Sequence, residues 1–376
     1  MPHYSVDTIT NMRELPVQPD EWNDALRRSM IGGNVFMSYE WISAWWEHYG
    51  KQKTPYILLV FEHNGNTKRL VAIAPFFKRR VGPFTGLEII GKGTSHGIDI
   101  VLPGETEVQK ESLAALSAEL RSRSREWDYI YNYVTDFGYG CLPLLTEEKR
   151  SGGLPFVARS SAHVRYLTTT GPWTDYLASK SSHFRKKIRN RCRKMQRDLN
   201  ADFVEKSGDL SADQIIGLCA KVDEASWKSE DGKMFFAEKE LAPFFRKVFP
   251  QLLRRGWLKI WAIECPETTV AYALVASNGE NAYFYKAGFD NAYSKYSPGT
   301  CLLFTLLRDD IFQGDCKRFS LMYGDQDYKD RFADEKVPRQ QLYILSETVR
   351  GRTIFPIALK IKRKLGSLAR TMRAGN

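Results

Sequence analysis

The chain has 376 residues, of which 43% are hydrophobic and 26% charged, with a net charge of +11. That length suits two domains, and the composition excludes a disordered, collagen-like or coiled-coil chain as a description of the whole. Sixteen of the 55 basic residues lie in two acid-free segments, 180–197 and 351–376, so the other 39 face 44 acidic residues and the body of the chain is mildly acidic.

The start, Met1-Pro2-His3-Tyr4, runs into polar sequence without the apolar stretch of a signal peptide. No apolar run approaches the roughly 20 residues of a membrane span. The six cysteines (Cys141, Cys192, Cys219, Cys265, Cys301, Cys316) show no CxxC spacing and read as reduced thiols. Together these features predict a cytoplasmic protein.

The first strong pattern is a hairpin. Tyr56–Phe61 and Leu70–Phe76 flank Asn64-Gly65-Asn66, a turn sequence that tolerates positive φ. Strand-like segments follow at Leu87–Ile90 and Ile98–Val101, joined by a glycine-rich loop that contains His96 and reads as a surface turn or a cleft lining. The same order returns about 200 residues later: Leu258–Ile263, the turn Cys265-Pro266-Glu267, Val270–Val275, then Ala282–Ala287. Shared order predicts a duplication of one α/β unit with a mixed sheet. The expected boundaries are 1–165 and 166–350, with a basic tail over 351–376.

Within the second unit, Phe184, Ile188, Cys192, Met195 and Leu199 form one apolar stripe of a helix whose other faces are basic. That basic surface admits three readings: a solvated face, an arm that holds substrate phosphates, or an RNA-binding stripe. Helical segments at 212–226 and 239–255 precede the second hairpin. After the strand 282–289 comes Tyr296-Ser297-Pro298-Gly299-Thr300 and an apolar helix. Ser297 is placed at its N-cap and Pro298 at its first position, and Gly299 allows a ligand close to the backbone. Amide groups at such a start suit an anion such as a pyrophosphate.

Asp325-Gln326-Asp327-Tyr328-Lys329 follows a final strand, where α/β folds gather site residues. A carboxylate there could take a proton from an attacking amine, and a phenol could return one to a leaving thiolate. A polar turn is the plainer reading. No GxSxG, HExxH, Walker A or GxGxxG sequence occurs, and the six histidines lack ligand spacing, so no metal is expected. In the tail, Ile357, Ile361, Leu365, Leu368 and Met372 form a stripe among basic residues, suited to an anionic membrane surface, although a disordered basic tail fits equally.

Taken together, Phe284–Asp290, Tyr296–Thr300 and Gly324–Phe332, with Phe36–Trp41, Phe184–Arg189 and Ser226-Trp227-Lys228, resemble the CelD-type branch of the GNAT acetyltransferase superfamily. That branch is linked to cellulose and exopolysaccharide biosynthesis. The resemblance spans residues 30–335 and implies two tandem GNAT-like domains, as in FemAB-type aminoacyltransferases. It implies acetyl-CoA or another acyl-CoA as donor and a sugar or nucleotide-sugar acceptor.

Carried over, Ser297, Pro298, Gly299 and Thr300 would seat the pyrophosphate, although they depart from the common GNAT loop. Backbone groups of Tyr285, Lys286 and Ala287 would hold the thioester. Asp327 or Asp325 would act as base, with Tyr328 or Tyr285 as acid. Arg185, Lys186, Arg189, Trp227, Lys228 and Lys329 would bind the acceptor. Two alternatives keep the fold but change the role. One is an aminoacyl-tRNA-dependent transferase. The other is a non-catalytic partner that reaches a polysaccharide synthase, or the inner membrane, through the tail.

Overall fold

A computed structural model describes residues 2–135, 140–147, 152–208, 210–226, 236, 241–324 and 326–362. The chain forms two compact units. The first comprises Met1–Ile31, Tyr49–Ser161 and Arg339–Asn376, and the second comprises Gly32–His48 and Ala162–Pro338.

The first unit opens with β1 (His3–Ile9), α1 (Pro19–Arg27), β2 (Thr54–Asn64), β3 (Thr67–Val81) and β4 (Phe84–Ile89). The expected hairpin is the β2–β3 pair, with Gly65 at φ +57° in its turn. β2 and β3 are apolar without alternation because most of their residues are buried, on both faces of the sheet. Helix α3 (Thr106–Ser122) packs on β1, β2 and β3, and β5 (Tyr129–Thr135) follows it. Each neighbouring pair from β1 to β4 is antiparallel, β4 and β5 are parallel, and β12 (Glu335–Leu345) closes the unit antiparallel to β5.

The second unit repeats that pattern strand for strand. β7 (Asp202–Glu205), β8 (Leu258–Cys265), β9 (Thr268–Ser277) and β10 (Asn281–Phe289) are antiparallel neighbours. β11 (Arg318–Tyr323) then runs parallel to β10, and β6 (Phe156–Thr168) lies antiparallel to β11. The duplication read from the hairpins is thus a duplication of the whole sheet plan.

The units are not contiguous in sequence. β6 follows β5 in the chain yet pairs with β11, while residues 339–345 of β12 follow β11 yet pair with β5. Segment 32–48, which contains most of α2 (Tyr39–Tyr49), groups with the second unit. The chain passes from the first unit to the second at 161/162 and returns at 338/339, so each unit is built from separated stretches of sequence. Hydrophobic periodicity identifies an element without stating which sheet it joins, so a local reading keeps neighbours together.

Helices α4 (Trp173–Ser179), α5 (Ser182–Leu199), α6 (Ala212–Glu224), α7 (Ala242–Arg254), α8 (Pro298–Asp309) and α9 (Asp327–Phe332) complete the second unit. The expected stripe of α5 is its packing face. Ile188 and Met195 are buried in a cluster with Leu302, Leu306, Phe284 and Phe319, and Phe184, Cys192 and Leu199 pack at its margin. Around Tyr285, Phe36 and Trp41 meet that residue's ring, Trp41 also packs on Phe244, and Phe245 approaches Tyr285.

The glycine-rich loop of the first unit ends on Asp99, which is buried. Its carboxylate accepts hydrogen bonds from the N–H groups of Ile100 (2.7 Å), Leu142 (2.7 Å) and Cys141 (2.9 Å), joining two loops. Burial nevertheless pushes its pKa up to about 7. A carboxyl raised in the folded state binds protons that the unfolded chain has released, so its contribution falls as pH rises from about 4 to 7 and is flat above. Asp99→Asn removes that titration. The melting-temperature advantage of the natural chain over the variant should therefore shrink between pH 5 and pH 8, and an advantage that stays constant or grows would show that the three N–H donors outweigh burial.

Candidate functional site

Where a parallel pair parts, two strand ends diverge from a common ladder and leave a cleft-forming edge. In the second unit the β10–β11 ladder covers only Asn281–Tyr283 against Arg318–Ser320, while β10 runs on to Phe289 and β11 to Tyr323. Beyond the ladder each strand also changes register with its outer neighbour. β10 has a bulge against β9 between Phe284 and Lys286, and β11 shifts against β6 between Ser320 and Tyr323, where Met322 adopts φ +66°. Bulges re-aim backbone groups and recur beside functional sites. Tyr285, the residue at the bulge, turns its ring into the aromatic packing with Phe36 and Trp41 and is buried. Lys286 and Ala287 are half-buried, with the Lys286 ammonium 5.3 Å from the Tyr285 ring centre.

A short 3₁₀ segment (Asn291–Tyr296) links β10 to α8. Ser297 occupies the N-cap, but in the left-handed region (φ +57°) and without a side-chain cap, so the expected hydroxyl cap is replaced by its carbonyl, which accepts from Thr300 N and Cys301 N at 3.1 Å. Pro298 is the first helical residue and is buried, and Gly299 and Thr300 are half-buried.

The two glycines of this region differ in what enforces them. A Cβ at Gly288 would lie 2.6 Å from Asp223 Oδ1 and 2.7 Å from the Tyr272 ring, so packing requires glycine there. A Cβ at Gly299 would meet only Phe289, at 3.5 Å, an ordinary contact. Folding gives no steric reason for glycine at 299, although glycine costs a helix about 0.5–1 kcal/mol against alanine.

Beyond β11, Asp327 stands exposed at the first position of α9, and Tyr328 is half-buried against the core. Burial pushes the Tyr328 phenol up to about 12, so it stays protonated at neutral pH. Lys329 is 5% exposed, and its ammonium donates to Tyr323 O at 2.7 Å, which ties α9 to the end of β11. Asp325, Trp227 and Lys228 lie outside the described residues.

Arg165, which sequence reasoning passed over, organises this turn. It is 1% exposed in β6, and its guanidinium donates to both carboxylate oxygens of Asp330 (2.7 and 3.2 Å) and to Gly324 O (2.5 Å). The same guanidinium holds the Asp330 carboxyl below its ordinary range. A single arginine inside an apolar strand, Val164-Arg165-Tyr166-Leu167, was the available signal, since cations are rarely fully buried without a partner.

Helix α5 reaches both flanks of the splay. Its Phe184 ring stands edge-on to Phe332 of α9 at 5.2 Å, and its Lys194 ammonium lies 5.7 Å from the Tyr296 ring just before α8. Of the basic residues singled out on it, Lys186 and Arg189 are exposed, while Arg185 is half-buried and donates to Ala178 O at 3.1 Å. The first unit has a pocket of its own, about 440 Å³, with Tyr129, Tyr131, Tyr343 and Phe355 as walls and Arg79 and Lys92 paired to Glu88. None of the residues expected at the site lines it. Among the described residues no cluster of His, Cys, Asp or Glu could hold a metal ion, and no helix is long and apolar enough to cross a membrane.

Residues 182–330 match the family model of the acetyltransferase (GNAT) domain. That interval contains β10, the start of α8 and α9. No curated protein matches the sequence. Solved structures similar to the chain include FemX (TM-score 0.62, 11% identity, 91% of this chain and 98% of that one). A conserved protein of unknown function from Bacteroides thetaiotaomicron VPI-5482 gives a TM-score of 0.52 at 11% identity, covering 88% and 98%. L-PGS from Bacillus licheniformis gives 0.51 at 11% identity, covering 92% and 97%. At such identities the likeness is one of fold; the match to the GNAT domain lies within the second unit, whose sheet plan the first unit repeats.

Proposed function

We propose that the second unit transfers an acyl group from acyl-CoA to an amine or hydroxyl acceptor. The observation that carries this reading is Gly299: a glycine that packing does not require, at the start of the helix that follows the splayed β10–β11 pair. Backbone approach by a pyrophosphate at a helix start explains it. The match of residues 182–330 to the GNAT domain supports the same donor class.

The chemistry is direct transfer. The acceptor attacks the thioester carbonyl, the carbon–sulfur bond breaks, and the thiolate leaves. Asp327, exposed at the head of α9, takes the acceptor's proton, and Tyr328, protonated at neutral pH, supplies one to the thiolate. The bulged stretch Tyr285–Ala287 stabilises the oxyanion through backbone N–H groups. Lys186 and Arg189, both exposed on α5, are assigned to the phosphates of a nucleotide-linked acceptor. A sugar or sugar-nucleotide of exopolysaccharide assembly as acceptor rests on the sequence resemblance alone.

Binding that favours the folded state raises the melting temperature, by about 2.7 kcal/mol of stability at a hundred times Kd. Millimolar acetyl-CoA should raise it for the natural chain. Gly299→Ala should fold at least as stably but need roughly ten-fold more ligand for the same shift. If neither CoA nor acetyl-CoA moves the transition, the donor assignment is wrong. The exposed basic face of α5 favours one second reading, an aminoacyl-tRNA donor, and the absence of a steep salt dependence in RNA filter binding would remove it.

A further inference from the structure

The C-terminal segment is helical from residue 350 to 362, beginning with a π-helical turn over Arg350–Ile354. One face is committed to the first unit: Phe355 stacks on Tyr129 at 4.2 Å and stands edge-on to Phe84 at 5.2 Å, with Ala358 and Leu359 packed beside it. The Arg350 guanidinium pairs with the buried Asp128 at 3.1 Å and fixes the start of the helix. A second apolar face points to solvent. Ile354, Ile357 and Ile361, at i, i+3 and i+7, are 50%, 54% and 55% exposed. Three isoleucines aligned on one solvent-facing stripe are unlike scattered surface apolar residues, because they present a contiguous surface that water solvates poorly.

The charge around the stripe selects its partner. Arg352, Lys360 and Lys362 are exposed beside it, and from Gly351 to Asn376 the sequence holds seven basic residues and no acid. The stripe's spacing continues in the sequence as Leu365, Leu368 and Met372. A second copy would bring two cationic rims together, which is repulsive, whereas an anionic lipid surface satisfies both the apolar stripe and its basic flanks.

We infer that this helix docks the protein in the plane of an anionic membrane surface, with Ile354, Ile357 and Ile361 entering the headgroup boundary and Arg352 and Lys360 facing lipid phosphates. The inference is independent of the transferase reading, because no residue assigned to acyl transfer belongs to the helix.

Co-sedimentation of the full chain with vesicles of phosphatidylcholine, with and without phosphatidylglycerol, tests it. Partition should be at least ten-fold stronger with phosphatidylglycerol and should weaken as salt rises. The triple variant I354S/I357S/I361S should keep the natural melting temperature and lose at least ten-fold in partition, and R352Q/K360Q should lose several-fold. Equal binding to pure phosphatidylcholine, an unaffected triple variant, or a protein left in the supernatant would each overturn the inference. So would a dimer in analytical ultracentrifugation that the triple variant dissolves, since the stripe would then belong to a second copy.

Discussion

Tyr328→Phe is expected to lower kcat for acyl transfer about a hundred-fold, with KM changed by no more than a few-fold. General acid catalysis contributes 10²–10⁴ in rate, and the variant removes only the phenolic oxygen while keeping the ring against the core of the second unit. The ordinary pKa of that phenol, 10.0, rises to about 12 through burial, so the phenol stays protonated across the whole neutral range. Steady-state kinetics with an acyl-CoA and an amine acceptor would read the effect, and a melting curve of the variant separates it from unfolding. Because the phenol titrates only near about pH 12, the natural chain should show no fall in kcat from this group up to about pH 10. An unchanged kcat would remove Tyr328 from the reaction and leave proton return to solvent.

Trp41→Ala should destabilise the second unit by about 3–5 kcal/mol, the usual cost of emptying a large buried aromatic site. Trp41 is 0% exposed. Its ring meets Phe36 at 4.8 Å, Phe244 at 5.3 Å and Tyr285 at 5.6 Å, all in edge-to-face geometry. Because Tyr285 sits at the bulge of β10, the same change loosens the strand proposed to hold the thioester, and activity should fall with stability. Trp41→Phe, which refills part of the space, should recover most of both. Urea unfolding gives the difference directly, and a loss below about 1 kcal/mol would mean that segment 32–48 contributes little to the core of that unit.

Trp41 also shows why the sequence could be read only in part. The motif Phe36-Met37-Ser38-Tyr39-Glu40-Trp41 was visible, but its partners Phe244 and Tyr285 lie more than 200 residues away, and nothing in its spacing names them. Arg165 is similar. Its place in an apolar strand was legible, whereas its grip on Asp330 and Gly324, 165 and 159 residues along, was not. Lys329 shows the converse: a lysine in a polar run reads as exposed, whereas it is 5% exposed and its ammonium donates to the carbonyl of Tyr323. At Ser297 the sequence placed the helix start, while the structure shows a left-handed residue whose hydroxyl makes no cap.

Local patterns by themselves determined the two hairpins, the strands β4, β10 and β11, the basic amphipathic helix and the fact of duplication, since each depends on the spacing of apolar and turn residues over a few positions; β1, β5, β6, β7 and β12 were not read, and the expected strand Ile98–Val101 is only an isolated bridge from Val101 to Ile73. Only the tertiary structure decided that β6 and β12 exchange units, that the β10–β11 ladder stops at Tyr283, and that Gly288 is required by packing while Gly299 is not. Those features depend on which distant side chains share a space, and a one-dimensional pattern carries no term for that.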